Sequence, residues 1–469
     1  MRRVTVFFAG SHSTRNANLT ILIMLFCLGF SNTLFAVTPP NVDLDTLAYQ
    51  KSEEEVAQEA DEILAELAAL RGITLKGKVK IVFADKTFFS RYYLRHLQEQ
   101  YSAPKKENYE AAFQALGLLK PGEDLFSSYL SVFLSVVQGL FDPETKTLFM
   151  LQGCHSRDIE KVMAHELVHA LQDQQFDLKK FLAGNQDLNM DEQFARTSLV
   201  EGEAEGLSLD WRLQEEGRDF TRIEDIAPLV EQGNLFEKVG LKALGKKTVS
   251  ANAINFPYVY GVTFFQHWVR LNGWKNVGQL YLHPPQTTQQ IMNSGYFFPR
   301  LIPFIKVKLA DLSGGPLKQY RKIWENSLGE FGWQTIFRNY LGDEESAKAV
   351  TGWEGDTTQA YKKDKESMCL LTSFLDFRDE SSSKIFFKTA KHFLGKKDKI
   401  LSWIRDDETI SWAALSDGRE SYLERFGKRV VWLEEIPQGL TPRVRASLWD
   451  FQRVSGVTAH QSETHSGSP

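Results

Sequence analysis

The chain has 469 residues, of which 42% are hydrophobic, 25% are charged and 33 are Phe. That is ordinary globular composition, with length enough for two or three domains with sizeable cores. A formal net charge of −5, with no Lys/Arg-rich stripe, speaks against a nucleic-acid binder, and three Cys are too few for a disulfide framework.

In chain order, Arg2, Arg3 and Arg15 precede an apolar run, Leu19–Phe30, which is followed by the polar patch Ser31-Asn32-Thr33. A run of about twelve apolar residues is short for a bilayer span and typical of an export signal. Residues 1–36 are therefore expected to be a signal peptide cut near Ala36, or a retained membrane anchor, and the rest of the chain to work outside the cytoplasm. Residues 37–137 predict a helical and strand region. It has an amphipathic helix within Asn41–Arg71, with Val56, Ala60, Ile63, Leu64, Leu67 and Leu70 on one stripe, and a strand over Ile73–Ala84. Two helices follow within Thr87–Leu119, broken near Ser102-Ala103-Pro104, and a further apolar helix covers Leu125–Val137.

Gly139–Gln152 reads as two strands around the turn cluster Asp142-Pro143-Glu144-Thr145. Strand Thr147–Gln152 then leads into a helix over Arg157–Phe181, with Ser156 as its cap; Cys154-His155 is read as the connection between them. The helix contains His165-Glu166-Leu167-Val168-His169. Two histidines four residues apart share one helix face and can reach a single cation, while Glu166 sits where it can act on a metal-activated water. Val162, Met163, Leu167, Val168, Ala170 and Leu171 make this helix apolar on most sides. Burying two histidines and a glutamate without a common partner is costly, so a metal is the simplest explanation.

A second long helix is expected over Asp191–Glu216, carrying Val200-Glu201-Gly202-Glu203-Ala204-Glu205. A site with two histidines, one carboxylate and a water needs that carboxylate from elsewhere. Glu201 is the choice, with Gly202 and Ala204 allowing close packing against the first helix. Glu205, one turn on, is placed to accept the free ring N–H of a ligand histidine, and Glu203 is expected to be solvated or in a salt bridge. Asn255–Asn272 reads as an aromatic helix after Pro257. From it Tyr258, Tyr260 or His267 can supply an electrophile to an oxyanion, and Tyr260 is the pick. Pro284–Gln289 opens a short helix, Ile302–Leu309 reads as a strand and Leu317–Tyr340 as a helix. After the turn Gly352–Asp356 comes an α+β lobe of roughly ninety residues, 356–454. Its strands are Met368–Phe374, Thr409–Leu415 and Arg429–Leu433, around a helix Ser382–Phe393. Residues 455–469 read as a disordered tail.

On these residues the chain resembles the gluzincin branch of HExxH zinc metallopeptidases. HELVHALQDQ in particular is similar to a family of bacterial and archaeal extracytoplasmic proteins. There, EGEA-like, FPYxxG, PPxxTxQ and GWxGD segments follow in the same order as Val200–Ala204, Phe256–Gly261, Pro284–Gln290 and Gly352–Asp356 do here. Relatives usually continue PPxxTxQ with His-Pro, where this chain has Ile291-Met292-Asn293. The resemblance implies an α+β fold with a mainly helical zincin-like core (138–355), a small sheet edge above the active-site helix, and the C-terminal lobe. It implies Zn2+ held by His165, His169 and Glu201, Glu166 as general base, Glu205 orienting a ligand histidine, and Asp173 in a structural role.

The expected function is zinc-dependent hydrolysis of a peptide or protein substrate, with the N-terminal segment as a possible membrane tether. The alternative is a non-catalytic cell-envelope binding or assembly protein with a structural zinc. Hydrolysis of a non-peptide amide is a third possibility, for which the sequence has no carbohydrate signature.

Overall fold

The computed structural model describes residues 52–153, 156–184, 188–233, 249–299, 301–364, 366, 368–398 and 400–455. The export segment, Cys154-His155 and all but the first residue of the expected tail lie outside them. Among the described residues no helix is long and apolar enough to cross a membrane.

The first part of the chain runs α1 (Glu53–Arg71), β1 (Lys80–Ala84), α2 (Lys86–Gln100), α3 (Ala103–Ala115), α4 (Leu125–Val136), β2 (Gly139–Asp142) and β3 (Thr147–Leu151). Helix α1 begins with a capping box, in which Ser52 and Glu55 each accept the other's backbone N–H. Its stripe of Val56, Ala60, Ile63, Leu64 and Leu67 is buried, each larger member contributing about 1.5–3 kcal/mol. The expected strand over Ile73–Ala84 is confined to β1, because Gly77 and the lysines around it leave little apolar surface to bury. The three strands form one sheet in the order β1-β3-β2, with β1 parallel to β3 and β2 antiparallel to it. Strand β3 is thus central, and the sheet edge near the following helix is β2.

That helix is α5 (Ser156–Phe176), followed by α6 (Leu178–Ala183), α7 (Met190–Glu215), α8 (Ala227–Gly233), α9 (Val249–Asn272), α10 (Gly278–Leu282) and α11 (Thr288–Met292). The expected continuous helix to Phe181 is broken at Asp177, whose φ is 51°. Its carboxylate accepts from Lys180 N and so caps α6. Helix α9 starts before Pro257 and carries it internally, so proline does not mark its beginning.

The remainder is β4 (Arg321–Asn326), α12 (Gly329–Leu341), α13 (Asp343–Val350), β5 (Trp353–Lys362), β6 (Leu370–Phe377), α14 (Glu380–Lys397), β7 (Ile400–Asp406), β8 (Ile410–Leu415), β9 (Arg419–Phe426), β10 (Arg429–Pro437) and α15 (Thr441–Ser455). The strands make a seven-stranded sheet, β4-β5-β6-β10-β9-β8-β7, antiparallel at every pairing. The sheet therefore begins well before residue 356, and the expected helix over Leu317–Tyr340 is strand β4 and then α12. Arg321–Asn326 pairs along β5, with a bulge between Lys322 and Trp324, and Gly329 at φ +71° turns the chain between the elements. Ile302–Leu309 joins no ladder. It is an extended strap beside β5, held by Ile305 N donating to Glu354 O and by Thr357 Oγ1 donating to Val307 O.

Alternate residues of β6 and β10 serve different cores. Leu371, Leu375, Val430 and Trp432 belong to a continuous cluster that extends back to Val56. Leu370, Phe374, Val431 and Leu433 pack with Val444 and Leu448 of α15 and Val307 of the strap. The protein is α+β, with a helical part and a small sheet packed against a larger antiparallel sheet.

Candidate metal centre

Helix α5 lies against α7 and under β2, and α1 packs on both helices. Strand β2 sits so close to α5 that a Cβ on Gly139 would come within 3.0 Å of Glu166 Cγ. Helix α7 opens with its own capping box, Asn189 with Glu192, and presents Glu201 to α5.

His165 Nε2 and His169 Nε2 are 3.2 Å apart, and each lies 3.4 Å from a different oxygen of Glu201. The three side chains form a group able to hold a metal ion. None of them, nor Glu166, is more than 1% exposed. Among the described residues neither Glu201 oxygen makes a hydrogen bond of ordinary geometry, which leaves a buried carboxylate aimed at two imidazoles. Such a carboxylate is costly unless a cation shares the space.

The electrostatics say the same. Burial opposes a charged His165, yet Glu201 at Nε2 and Glu205 Oε2, 3.4 Å from Nδ1, raise it to about 10. Glu205, despite its burial, is held at about 2, chiefly by His165 and then by Lys161. Without a metal, a proton on His165 supplies the positive charge that the two carboxylates require. Burial raises Glu201 and drives Glu166 up to about 8, against the pull of His165 and of the Phe141 N–H. That N–H, on the outer edge of β2, donates to Glu166 Oε2 at 2.8 Å. Among the described residues Glu166 Oε1 has no hydrogen-bond partner.

His165, Glu166, His169, Glu201 and Glu205 thus come together as the sequence reading expects. Asp173 has a structural role: it accepts from Lys146 Nζ at 2.5 Å and from Leu178 N at 3.2 Å, holding the α5–α6 break. The Tyr260 ring lies against Phe256, centroids 4.9 Å apart. Tyr258 is the tyrosine at the site. Its ring stacks over His165, centroids 6.0 Å apart, and its hydroxyl favours the charged form of Glu201. His267 bonds Ser294 Oγ through Nδ1. Glu203 is buried, not solvated, and pairs with Arg71. Gly202 packs against Gly261 of α9, not against α5, and a Cβ on either would collide with the other helix's backbone.

The sequence reading passed over Gln172, whose Oε1 lies 2.8 Å from His169 Nδ1. Its position three residues after His169 on one helix flank is the signal that could have found it. Tyr258 is among the three candidates expected from α9, and its position three residues before Gly261 puts it on the face of α9 that meets α7.

No family model, curated protein or solved structure matches the chain.

Proposed function

We propose that the protein is a zinc-dependent hydrolase of peptide bonds that works outside the cytoplasm, with Glu166 as general base. The observation that carries the reading is the pair of imidazole Nε2 atoms 3.2 Å apart, each 3.4 Å from its own oxygen of the Glu201 carboxylate. Tetrahedral ligands on bonds of about 2.0–2.1 Å are separated by about 3.3–3.4 Å. Two imidazoles and a carboxylate suit Zn2+ better than the harder cations, which prefer oxygen. Three protein donors also leave the fourth position that distinguishes catalytic from structural sites. The motif order and the HELVHALQDQ stretch, which resemble gluzincins, point the same way.

When bound, zinc supplies Lewis acidity that acidifies a water and polarises a carbonyl. The chain's own residues do the rest. Glu166, whose carboxyl burial raises in the metal-free protein, takes the proton of the attacking water and returns it to the leaving amine. The Phe141 N–H fixes one of its oxygens and leaves Oε1 to carry that proton. Glu205 and Gln172 face the Nδ1 atoms of His165 and His169 and aim their Nε2 atoms at one point. Tyr258 steadies Glu201. The substrate is a peptide or protein, and the N-terminal apolar run is the export signal or tether.

A second reading, a structural zinc clasp in an envelope assembly protein, draws on the near-complete burial of the donors. The two readings separate on the purified chain and its Glu166→Gln variant, each incubated with a peptide library. The expected result is unchanged zinc content with hydrolysis reduced by roughly 10²–10⁴. Equal hydrolysis by the variant removes Glu166 from the reaction. Absence of hydrolysis by the zinc-loaded native chain, together with unfolding on chelation, favours the clasp.

A further inference from the structure

Glu203 is a buried carboxylate that neither holds the metal nor faces the reacting atoms. Its neighbours show what it does. Arg71 Nε, at the end of α1, donates to its Oε1 at 2.5 Å, and Arg71 Nη1 donates to Trp274 O at 2.6 Å. Tyr281 donates its hydroxyl to Oε2 at 2.5 Å, and burial together with Glu203 raises that phenol well above its usual range, so it remains a donor. The Tyr281 ring is stacked on Phe176 at 4.0 Å and tilted against Phe181. Gln172 Nε2 then donates both to Glu203 Oε2, at 3.1 Å, and to Val200 O, at 2.8 Å.

We infer that Gln172, Glu203 and Arg71 are positioning residues that lock His169 into the tautomer able to take up metal. The argument rests on the zinc reading above and on the count of donors and acceptors. A backbone carbonyl and a carboxylate paired with arginine only accept, so the Gln172 amide presents its nitrogen to them and cannot turn over. Its Oε1 therefore faces His169 Nδ1, at 2.8 Å, and an amide oxygen only accepts. Nδ1 must carry the hydrogen, and in the neutral ring the Nε2 lone pair is then directed at His165 and Glu201. The choice is made before any metal arrives, and it extends from the centre to the N-terminal helix. Arg71, 132 residues before Glu203 in sequence, thereby belongs to the site although it touches no ligand.

The test is zinc affinity, measured against a competing chelator, for the native chain, Gln172→Met and Glu203→Gln. Ring 15N shifts of His169 are recorded on the metal-free proteins alongside. The native chain should bind one zinc and show Nδ1–H in its metal-free form. Gln172→Met should bind zinc about 10–100-fold more weakly and lose the single tautomer. Glu203→Gln keeps side-chain volume and reads the same network if Gln172→Met does not fold; its loss should be smaller but in the same direction. A purely structural role would lower the melting temperature of the metal-free variants while leaving affinity and tautomer unchanged. That result, or affinities within twofold of native in the variants that fold, overturns the inference. A native chain that binds no zinc sinks the function proposed above instead. The metal-free ring shifts then still decide the tautomer question by themselves.

Discussion

His165 lies between two carboxylates, 3.4 Å from each, in a site with almost no access to water. On the function proposed above, a proton on His165 and a zinc ion would compete for one place, so a group that stabilises the Glu201 charge is expected to strengthen metal binding. Tyr258 is such a group, because its hydroxyl favours charged Glu201. Tyr258→Phe should weaken zinc binding several-fold in a chelator competition, and Tyr260→Phe, which keeps the ring contact with Phe256, should leave it unchanged. The reverse ranking would contradict the placement of these two side chains. The ligands themselves were legible because helical periodicity alone puts 165 with 169 and 201 with 205. The tyrosine was not, because Tyr258 and Tyr260 point to different sides of α9. Which side meets the centre depends on how that helix is rotated, and the rotation follows from Gly261 seating against Gly202, a contact between distant segments. Of the two expectations for Glu203 the salt bridge holds, and its partner could not be named because Arg71 comes from another helix far away in sequence.

At the scale of elements, two sequence segments outside the centre hold the Glu201 helix in place. In the PPQTTQQ stretch, Thr287 caps α11 and Thr288 donates both N–H and hydroxyl to Asp191 in the first turn of α7. Gln289 donates to Trp353 O in the GWEGD stretch. There Asp356 accepts from Leu328 N and Gly329 N at 3.0 and 2.9 Å, ahead of α12. Both motifs are therefore ties between α7 and the large sheet, and each tie includes a buried carboxylate, Asp191 of α7 in the first and Asp356 in the second. Burial first, and then Asp356, raise Asp191 to about 8, in spite of the bonds from Thr288. With the folded value above the unfolded value of about 4, the folded state binds the extra proton. The stabilisation is complete below about pH 4 and is lost as pH rises through about 8. Asp191→Asn, which keeps the acceptor for Thr288, should flatten the decline in unfolding free energy over that range, a change on the order of a few kcal/mol. An unchanged pH profile of denaturant midpoints would show that Asp191 does not titrate there. Secondary structure was read best where capping residues and periodicity agreed, as in α1, α7 and α14. It was read worst where pairing partners decide, as in β4 and the strap 302–309, whose alternation suits a strand that no neighbour pairs with.

Across the whole molecule, one apolar core runs from Val56 on α1 to Trp432 on β10. The metal helix lies inside it, with α1, α7 and β2 around it, so the centre is a property of the complete fold. Two helices and a strand edge each contribute one part: the imidazole pair with Glu166, the carboxylate, and the amide that holds Glu166. Composition indicated a globular protein and the element pattern an α+β one, but the seven-stranded sheet was only partly visible, since β4 and β5 reach it from before residue 356. The central claim is that His165, His169 and Glu201 grip a single zinc ion. The most direct measurement is the metal content of the purified chain and of its Glu201→Ala variant by inductively coupled plasma mass spectrometry, after dialysis against trace zinc. The account predicts one zinc per native chain and its loss in the variant, with both proteins folded. A native chain free of zinc, or a variant that retains a full equivalent, would contradict it.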